Sequence, residues 1–274
     1  MAIAKCPVIM AELMTSVYDI VHIMTKEGFR RIPIVDSRTK ALQGIVTSSD
    51  IVDYLGGGRK FEVIQRELGG SFFKAINEPV KSIMQPNPPS VEDVATIGYA
   101  IDIMKQHGVG GLPVVDNAGR ILAIVTEKDL LSVFERKAKG IKVATLMTKN
   151  VVTGTGETTI IEAEREMVRK SFRRLPLVSE GRLVGIVTAM DIVRFFGSGE
   201  VFQHLRSGTI LQVLQTPALQ IGTKKLVTIS EDADVTEAAR TMKERNMGAL
   251  LVVEDGKLVG MLTERDFFKL ASHA

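Results

Sequence analysis

The sequence has few of the residues that build covalent or metal-held structure. It contains a single cysteine, Cys6, four scattered histidines and no tryptophan. One cysteine excludes an intramolecular disulfide and a cysteine metal cluster, and it fits a reducing compartment. The histidines lack the close paired spacing of a zinc site. We therefore expect neither a disulfide nor a metal centre.

Long hydrophobic runs are also absent. The longest charge-free segment, residues 207–223, contains three glutamines and a proline, so it is too polar and too short to cross a bilayer. The first residues lack the apolar run of a secretory signal, and a formal charge of +3 is too small to indicate a nucleic-acid partner. The chain has 274 residues, 45% of them hydrophobic, and is predicted to be a globular cytoplasmic protein with a well-buried core.

One pattern recurs four times along the chain. Apolar residues spaced i, i+3, i+7 predict a helix with one buried face, and a residue suited to an N-cap precedes each helix. The predicted caps and buried methionines are Ser16 and Met24, Thr96 and Met104, Thr159 and Met167, and Asp234 and Met242. Two short strands follow, and a second helix begins after a Thr-x-x-Asp sequence. Each repeat is therefore predicted to be a β-α-β-β-α unit of the α/β (α+β) class, at residues 1–56, 80–137, 141–197 and 212–272.

The repeats alternate between two types. Repeats 1 and 3 carry Phe-Arg-Arg before their first apolar strand, whereas repeats 2 and 4 carry Gly110-Gly111 and Gly248-Ala249 there. The alternation indicates that a two-repeat unit was duplicated, and it predicts two modules, residues 1–140 and 141–274. In three repeats this strand contains a proline, which predicts a strand start or a sheet edge. These prolines are Pro33, Pro113 and Pro176.

The Thr-x-x-Asp motif has two interpretations. As a capping box, the threonine accepts from a backbone N–H while the aspartate reaches back to the threonine. As a ligand site, the helix start offers free N–H groups, and an ionised carboxylate accepts two hydroxyl protons, which suits a ribose. The candidate residues are Thr47 and Asp50, Thr126 and Asp129, Thr188 and Asp191, and Thr263 and Asp266.

The paired arginines add a second kind of candidate. Arg30-Arg31 and Arg173-Arg174 precede strands that should be buried, and adjacent residues of an extended segment point in opposite directions. Either they protect an exposed strand edge, or at least one of each pair faces a cleft and awaits a phosphate. A ribose acceptor and a phosphate donor in one repeat point to a nucleotide. The chain has no phosphate loop, convincing dinucleotide fingerprint or nucleophile elbow, so the residues predict binding without catalysis.

Each repeat resembles a CBS domain, with a Val-x-x-apolar-Met opening at residues 80–84 and 143–147. Four tandem copies resemble the γ subunit of AMP-activated protein kinase and its stand-alone archaeal relatives, notably at residues 75–80 and 172–188. The resemblance implies repeats paired through their sheets as Bateman modules, two modules forming a disk, and nucleotides in clefts between paired repeats. The sequence departs from that pattern in repeat 1, which lacks a clear opening, and in repeat 4, where Gly222 replaces methionine and Leu251 replaces proline.

The resemblance also implies roles for the candidate residues. The four aspartates would hold ribose hydroxyls, the four threonines would contact ribose or phosphate, and the four arginines would meet phosphates. The implied ligand is AMP, ADP or ATP, with no catalytic cofactor, and the implied partner is a separate regulated protein, with a homodimer left open. We expect the cleft that contains Asp191, Arg173 and Arg174 to bind first. The alternatives are a scaffold that holds another adenosyl compound, such as S-adenosylmethionine, and a nucleic-acid binder, which the slight net charge disfavours.

Overall fold

The computed structural model describes residue 4 and residues 6–135, 138–205 and 209–273. The predicted boundaries at residues 1, 137 and 274 lie outside the described residues. Each repeat folds as a short strand, a helix, a β-hairpin and a second helix, which confirms the predicted β-α-β-β-α unit. Within the described residues, every helix is too short or too polar to span a bilayer.

Repeats 1 and 2 are joined by two short linker helices. Repeat 1 comprises β1 (Ala11–Glu12), α1 (Val17–Glu27), β2 (Arg31–Val35), β3 (Leu42–Thr47) and α2 (Ser48–Val52), which runs into a π-helical turn at Asp53–Gly57. The connection contains α3 (Phe61–Arg66), α4 (Phe72–Asn77), a 3-10 turn (Val80–Ser82) and β4 (Gln85–Pro86). Repeat 2 comprises β5 (Val91–Glu92), α5 (Ile97–His107), β6 (Gly111–Val115), β7 (Ile121–Thr126) and α6 (Glu127–Glu135).

Repeats 3 and 4 follow the same plan. Repeat 3 comprises α7 (Val143–Leu146), β8 (Gly154–Thr155), α8 (Ile160–Arg169), β9 (Arg174–Ser179), β10 (Arg182–Thr188) and α9 (Ala189–Gly197). Its linker helices are α10 (Val201–His204) and α11 (Ile210–Leu214). Repeat 4 comprises α12 (Ala218–Ile221), β11 (Thr228–Ile229), α13 (Val235–Glu244), β12 (Ala249–Glu254), β13 (Lys257–Thr263) and a final 3-10 helix (Glu264–His273).

The predicted helix starts are confirmed. The side chains of all four predicted caps accept a hydrogen bond from a backbone N–H of their own helix. The four methionines at the other end of the pattern are at most 3% exposed. Each of these helices therefore begins at a side-chain cap and buries one apolar face, as the spacing requires.

The prediction that each proline marks a strand start or a sheet edge is wrong. In each of the three repeats the proline strand lies between its two neighbours, as β2 lies between β1 and β3. The short strand β1 pairs only with Ile34 and Val35, so Pro33 pairs with β3 alone. Proline lacks an N–H, and it is tolerated here because the pairing with the parallel strand begins only at the next residue, Ile34.

The opening segment of a repeat docks on the repeat with which it is paired. Val80 donates its N–H to Thr15 O (2.8 Å) and Val17 donates to Glu78 O (2.9 Å), so the opening of repeat 2 completes repeat 1. The opening of repeat 3 makes the same two bonds with repeat 4, and the opening of repeat 4 makes them with repeat 3. Each cleft is consequently built from two stretches of chain that are far apart in sequence.

The loss of methionine at Gly222 is compensated within the same opening. In repeats 1 and 4, the sulfurs of Met84 and Met147 would lie 2.5 Å from a Cβ built at Gly44 and Gly260. At the equivalent Gly185 of repeat 3, Leu219 Cδ1 occupies that space, also at 2.5 Å. Leu219, one helical turn before Gly222, thus covers Gly185 of β10 in place of the missing methionine.

The helices form two hydrophobic cores that cross the sequence order. One core combines helices of repeats 1 and 3, with α1 packed on α9, and the other combines repeats 2 and 4, with α6 packed on the final 3-10 helix. Backbone bridges link repeat 1 to repeat 2 at Ala41 and Arg120, and repeat 3 to repeat 4 at Thr148 and Met261. The module boundaries at 1–140 and 141–274 stay a prediction.

Candidate functional site

A cavity of about 670 Å³ lies where the four repeats meet. One of its clefts has Ile186, Thr188 and Asp191 of repeat 3 on one wall. The facing wall comes from the opening of repeat 4, with Thr223 and residues 225–227. Because Ile186 hydrogen-bonds Thr223 through both backbone groups, the two walls are held in register.

A second cleft opens into the same cavity from repeat 2. Its lining includes Ile124 and Thr126, at the positions of Ile186 and Thr188, and residues 7–9. The pairing of β1 with β2 and of β11 with β12 makes residues 7–9 the counterparts of 225–227. Asp129 lines a smaller cavity of about 300 Å³ with Lys128, Ser132 and Lys243.

Asp191 uses one carboxylate oxygen for its own helix. Its Oδ2 accepts from the Thr188 N–H (2.8 Å) and the Thr188 hydroxyl (2.7 Å), and Thr188 Oγ1 accepts from the Asp191 N–H (3.2 Å). Its Oδ1 accepts from Arg194 Nη1 at 2.7 Å, and the Arg194 side chain is 55% exposed. The capping and ligand interpretations are therefore compatible. Oδ2 stabilises the helix start, and Oδ1 pairs with the exposed Arg194, which a ligand hydroxyl could replace.

All four predicted arginines line this cavity, and the glycines of the other repeat type make room for them. A Cβ built at Gly110 would lie 3.0 Å from Arg31 Nη2, and one built at Gly248 would lie 2.8 Å from Arg30 Nη1 and close to Arg174. A side chain at either glycine would therefore displace a guanidinium. The alternation seen in the sequence is a steric match between repeats.

Two buried glutamates neutralise only part of the arginine charge. Arg30 Nη1 pairs with Glu264 Oε2 at 3.2 Å, while Glu127 accepts from Arg173 Nη2 (3.3 Å) and from Arg265 Nε (2.6 Å). Burial opposes ionisation of Glu127, yet Arg173 and Arg265 outweigh it and hold the pKa of Glu127 below its ordinary value. Five guanidinium groups thus face two carboxylates.

Arg31 and Arg174 lie near these two glutamates, but among the described residues neither forms a direct ion pair with them. Within the described part of the chain, neither donates a hydrogen bond to a protein group. Burial, followed by the charge of Arg173, lowers the pKa of Arg31 to about 10. Burial, followed by the charge of Arg30, lowers the pKa of Arg174 to about 9. Both arginines remain cationic at neutral pH. An added anion would offset their burial and the repulsion from the neighbouring arginines, so it would stabilise the charged forms.

The remaining candidates from the sequence lie elsewhere. Thr47, Asp50, Thr263 and Asp266 are not among the described residues that line the large cavity. The carboxylates of Asp50 and Asp266 are nearly buried and pair with lysines. The structure therefore brings the threonine and aspartate of repeat 3, one further threonine and the four arginines together. Among the described residues of the motifs in repeats 1 and 4, only those that follow threonine, Ser48 and Glu264, line the cavity.

Sequence reasoning missed Glu127 and Glu264. Both occupy the position after threonine in the motif, where repeats 2 and 4 have glutamate and repeats 1 and 3 have serine or alanine. The signal was present, because glutamate occurs only in the repeats that lack arginine pairs. The cleft walls at residues 7–9 and 225–227 carried no comparable signal.

Comparison with known proteins decides the family. A model of the CBS domain matches residues 2–57, 80–136, 143–198 and 219–273, which is most of the chain. The chain belongs to the CBS-domain family. The fold class predicted from the repeats is thereby confirmed.

Two archaeal CBS-domain relatives extend over nearly the whole chain. The uncharacterized protein MJ1225 of Methanocaldococcus jannaschii is 34% identical over 248 residues, covering 90% of this chain and 89% of that protein. An uncharacterized 33.4 kDa protein in the ribosomal RNA operon of Thermofilum pendens is 34% identical over 250 residues, covering 91% and 83%.

Solved structures agree with this assignment. The crystal structure of MJ1225, described as a candidate archaeal homolog of γ-AMPK, has a TM-score of 0.93 and 32% identity, and the alignment covers 98% of both chains. A conserved protein of Pyrococcus horikoshii has a TM-score of 0.61 at 20% identity, covering 98% and 97% of the two chains, and shares the fold. The resemblance to four-repeat CBS proteins of the γ-subunit type is confirmed.

Proposed function

We propose that this CBS-domain protein binds an adenine nucleotide (AMP, ADP or ATP) in the repeat 3 cleft and regulates a separate protein without catalysis. The observation that carries the proposal is the shared cavity of Asp191 and the arginine cluster. A carboxylate oxygen that can accept ribose hydroxyls and guanidinium groups that lack anionic partners line one space. The likeness to a candidate γ-AMPK homolog supports the same ligand class.

The parts of a nucleotide match the parts of the cavity. The ribose would donate to Asp191 Oδ1 in exchange for Arg194, and the phosphates would lie among Arg31, Arg173 and Arg174. The base would fit between Ile186 and the segment 225–227, where apolar side chains and backbone groups are available. The repeat 2 cleft, with Thr126 and residues 7–9, is a second candidate for the same ligand class.

We expect the double variant Arg173→Ala, Arg174→Ala to lose roughly 10- to 100-fold in affinity for AMP while keeping its affinity for adenosine. A hydrogen bond to a charged group is worth about 1.5–3 kcal/mol, and only AMP has the phosphate that would receive it. Isothermal titration with both ligands measures the ratio of the two affinities.

The matched control is Arg169→Ala, Lys170→Ala, another adjacent cationic pair, whose members form exposed ion pairs with Glu166. It should leave both affinities unchanged. An AMP-to-adenosine ratio that stays the same in the Arg173, Arg174 variant refutes the phosphate role. Tight binding of S-adenosylmethionine without AMP binding would favour the alternative adenosyl ligand.

A further inference from the structure

Asp50 and Asp266 have the same capping geometry as Asp191 but a different partner on the second oxygen. Oδ2 of Asp50 accepts from the Thr47 N–H (2.9 Å) and hydroxyl (2.6 Å), and Oδ2 of Asp266 accepts from the Thr263 N–H and hydroxyl (both 2.8 Å). Oδ1 of Asp50 accepts from Lys60 Nζ at 2.8 Å, and Oδ1 of Asp266 accepts from Lys269 Nζ at 2.9 Å. The oxygen that ribose hydroxyls would need is therefore bound to an ammonium group in both repeats.

Each of these ammonium groups also bridges to the opposite wall of its cleft. Lys60 Nζ donates to Ile83 O, and Lys269 Nζ donates to Leu146 O. Ile83 and Leu146 are equivalent residues of two opening segments, since each precedes the methionine of its opening. We call this arrangement, in which one lysine joins the motif aspartate to the facing carbonyl, the lysine clamp.

The two clamps are built from different sequence positions. Lys269 is three residues after its aspartate, on the same helical turn, whereas Lys60 is ten residues after Asp50 and follows the π-helical turn. The Lys60 backbone N–H donates to Asp53 Oδ1 at 3.2 Å. This bond holds the segment after the π-helical turn in a position from which the Lys60 ammonium group contacts Asp50. Lysines from two unrelated sequence positions thus place an ammonium group between the motif aspartate and the facing carbonyl.

Repeat 3 lacks the clamp, although Arg194 occupies the position of Lys269, three residues after the motif aspartate. The residue ten positions after Asp191 is Val201, which is fully buried and has no charge to offer. Gln85, whose amide also donates to Asp50 Oδ1 at 3.1 Å, corresponds to Thr223, which lines the open cavity. Arg194 is about as exposed as Lys269 (55% and 51%), but among the described residues its side chain bonds only Asp191 and makes no second bond to the facing wall.

We infer that Lys60 and Lys269 act as internal ligands that close the clefts of repeats 1 and 4 to nucleotide. The inference rests on the proposed function, and it assigns nucleotide binding to the clefts of repeats 2 and 3, which open into the large cavity. A charge-assisted bond from an ammonium is stronger than one from a neutral hydroxyl. The clamp around Asp50 is also largely shielded from water, because the Asp50 side chain is 5% exposed.

The first test is a calorimetric titration with AMP of three isosteric variants. Asp50→Asn and Asp266→Asn are expected to leave the affinity within about twofold and the number of AMP molecules per chain unchanged. Asp191→Asn is expected to lose affinity, which shows that the assay detects a ribose contact. Loss of an AMP site in Asp50→Asn or Asp266→Asn overturns the inference.

The second test removes the clamps. Lys60→Met, Lys269→Met should bind one or two more AMP molecules per chain than the unsubstituted protein, and the exposed pair Arg169→Met, Lys170→Met serves as the control. A variant with intact circular dichroism that gains no AMP site contradicts the clamp, whereas a variant that fails to fold leaves the decision to the asparagine variants. If the unsubstituted protein binds no AMP, ADP or ATP, the proposed function fails, and a gain of AMP binding in the lysine variant would still support the clamp.

Discussion

Asp191→Ala is expected to weaken AMP binding by roughly 30- to 1,000-fold. The variant removes the carboxylate oxygen that would accept the ribose hydroxyls, and charge-assisted hydrogen bonds of that kind contribute about 2–4 kcal/mol in total. It also releases Arg194 from its ion pair, but a salt bridge with so exposed a partner contributes little. Isothermal titration calorimetry with AMP measures the loss directly.

Two variants separate ligand binding from helix capping. Asp191→Asn keeps an oxygen for the Thr188 cap but loses the negative charge, so its affinity should lie between those of the unsubstituted protein and Asp191→Ala. Asp234→Ala removes another capping aspartate, at the start of α13 and away from the described cavity lining, and should cost about 1 kcal/mol of stability without changing AMP affinity. An Asp191→Ala protein that binds AMP within threefold of the original would remove the ribose assignment.

Glu164→Val is expected to raise the free energy of unfolding at pH 7 by about 1–3 kcal/mol, because a buried polar group without partners is removed. Glu164 lies on α8 with no exposed surface, and both of its carboxylate oxygens lack a hydrogen-bond partner among the described residues. A Cβ added at Gly56 of repeat 1 would collide with this carboxyl group. Val21 of repeat 1 corresponds to Glu164 and packs against Gly197, which corresponds to Gly56. Valine therefore already fills the equivalent position of the same interface.

The same residue predicts a pH dependence of stability. Burial raises the pKa of Glu164 well above its usual range, so the folded chain retains a proton that the unfolded chain releases near pH 4.5. Between the unfolded and folded pKa values the folded state binds more protons, and stability falls as pH rises, by up to about 1.4 kcal/mol per pH unit. The contribution of Glu164 is therefore most favourable in acid and is lost toward neutral pH.

Chemical denaturation between pH 4.5 and 8 tests both statements. Glu164→Val should be more stable and should lack this component of the pH slope. Glu164→Gln should also lack it, while keeping an unpartnered polar group and gaining less stability. If the unsubstituted protein and the glutamine variant show the same slope, Glu164 does not titrate as the buried geometry requires.

The arginine cluster shows how far local sequence information extends. The Phe-Arg-Arg pairs predicted cationic groups at strand starts, and the structure has all four guanidinium groups on one cavity. Which carboxylates would oppose them was not predictable, since Glu127 and Arg173 are separated by 46 positions and Arg30 and Glu264 by 234. Partners at such separations are chosen by the packing of whole repeats.

The four Thr-x-x-Asp motifs share their threonine and aspartate at the same spacing, yet their surroundings differ. Local spacing is enough to determine the cap, because threonine and aspartate three residues apart at a helix start contact each other whatever surrounds them. The chain alone therefore determined four β-α-β-β-α repeats, their helix starts, their buried methionines and the type of chemistry each motif offers.

Only the tertiary structure decided which motif faces open space. The lysine that meets Asp50 arrives from a linker after a π-helical turn, and the wall facing Asp191 arrives from the opening of another repeat. Such contacts depend on how distant segments pack, and packing is a property of shape and volume summed over the whole fold, which no local spacing records.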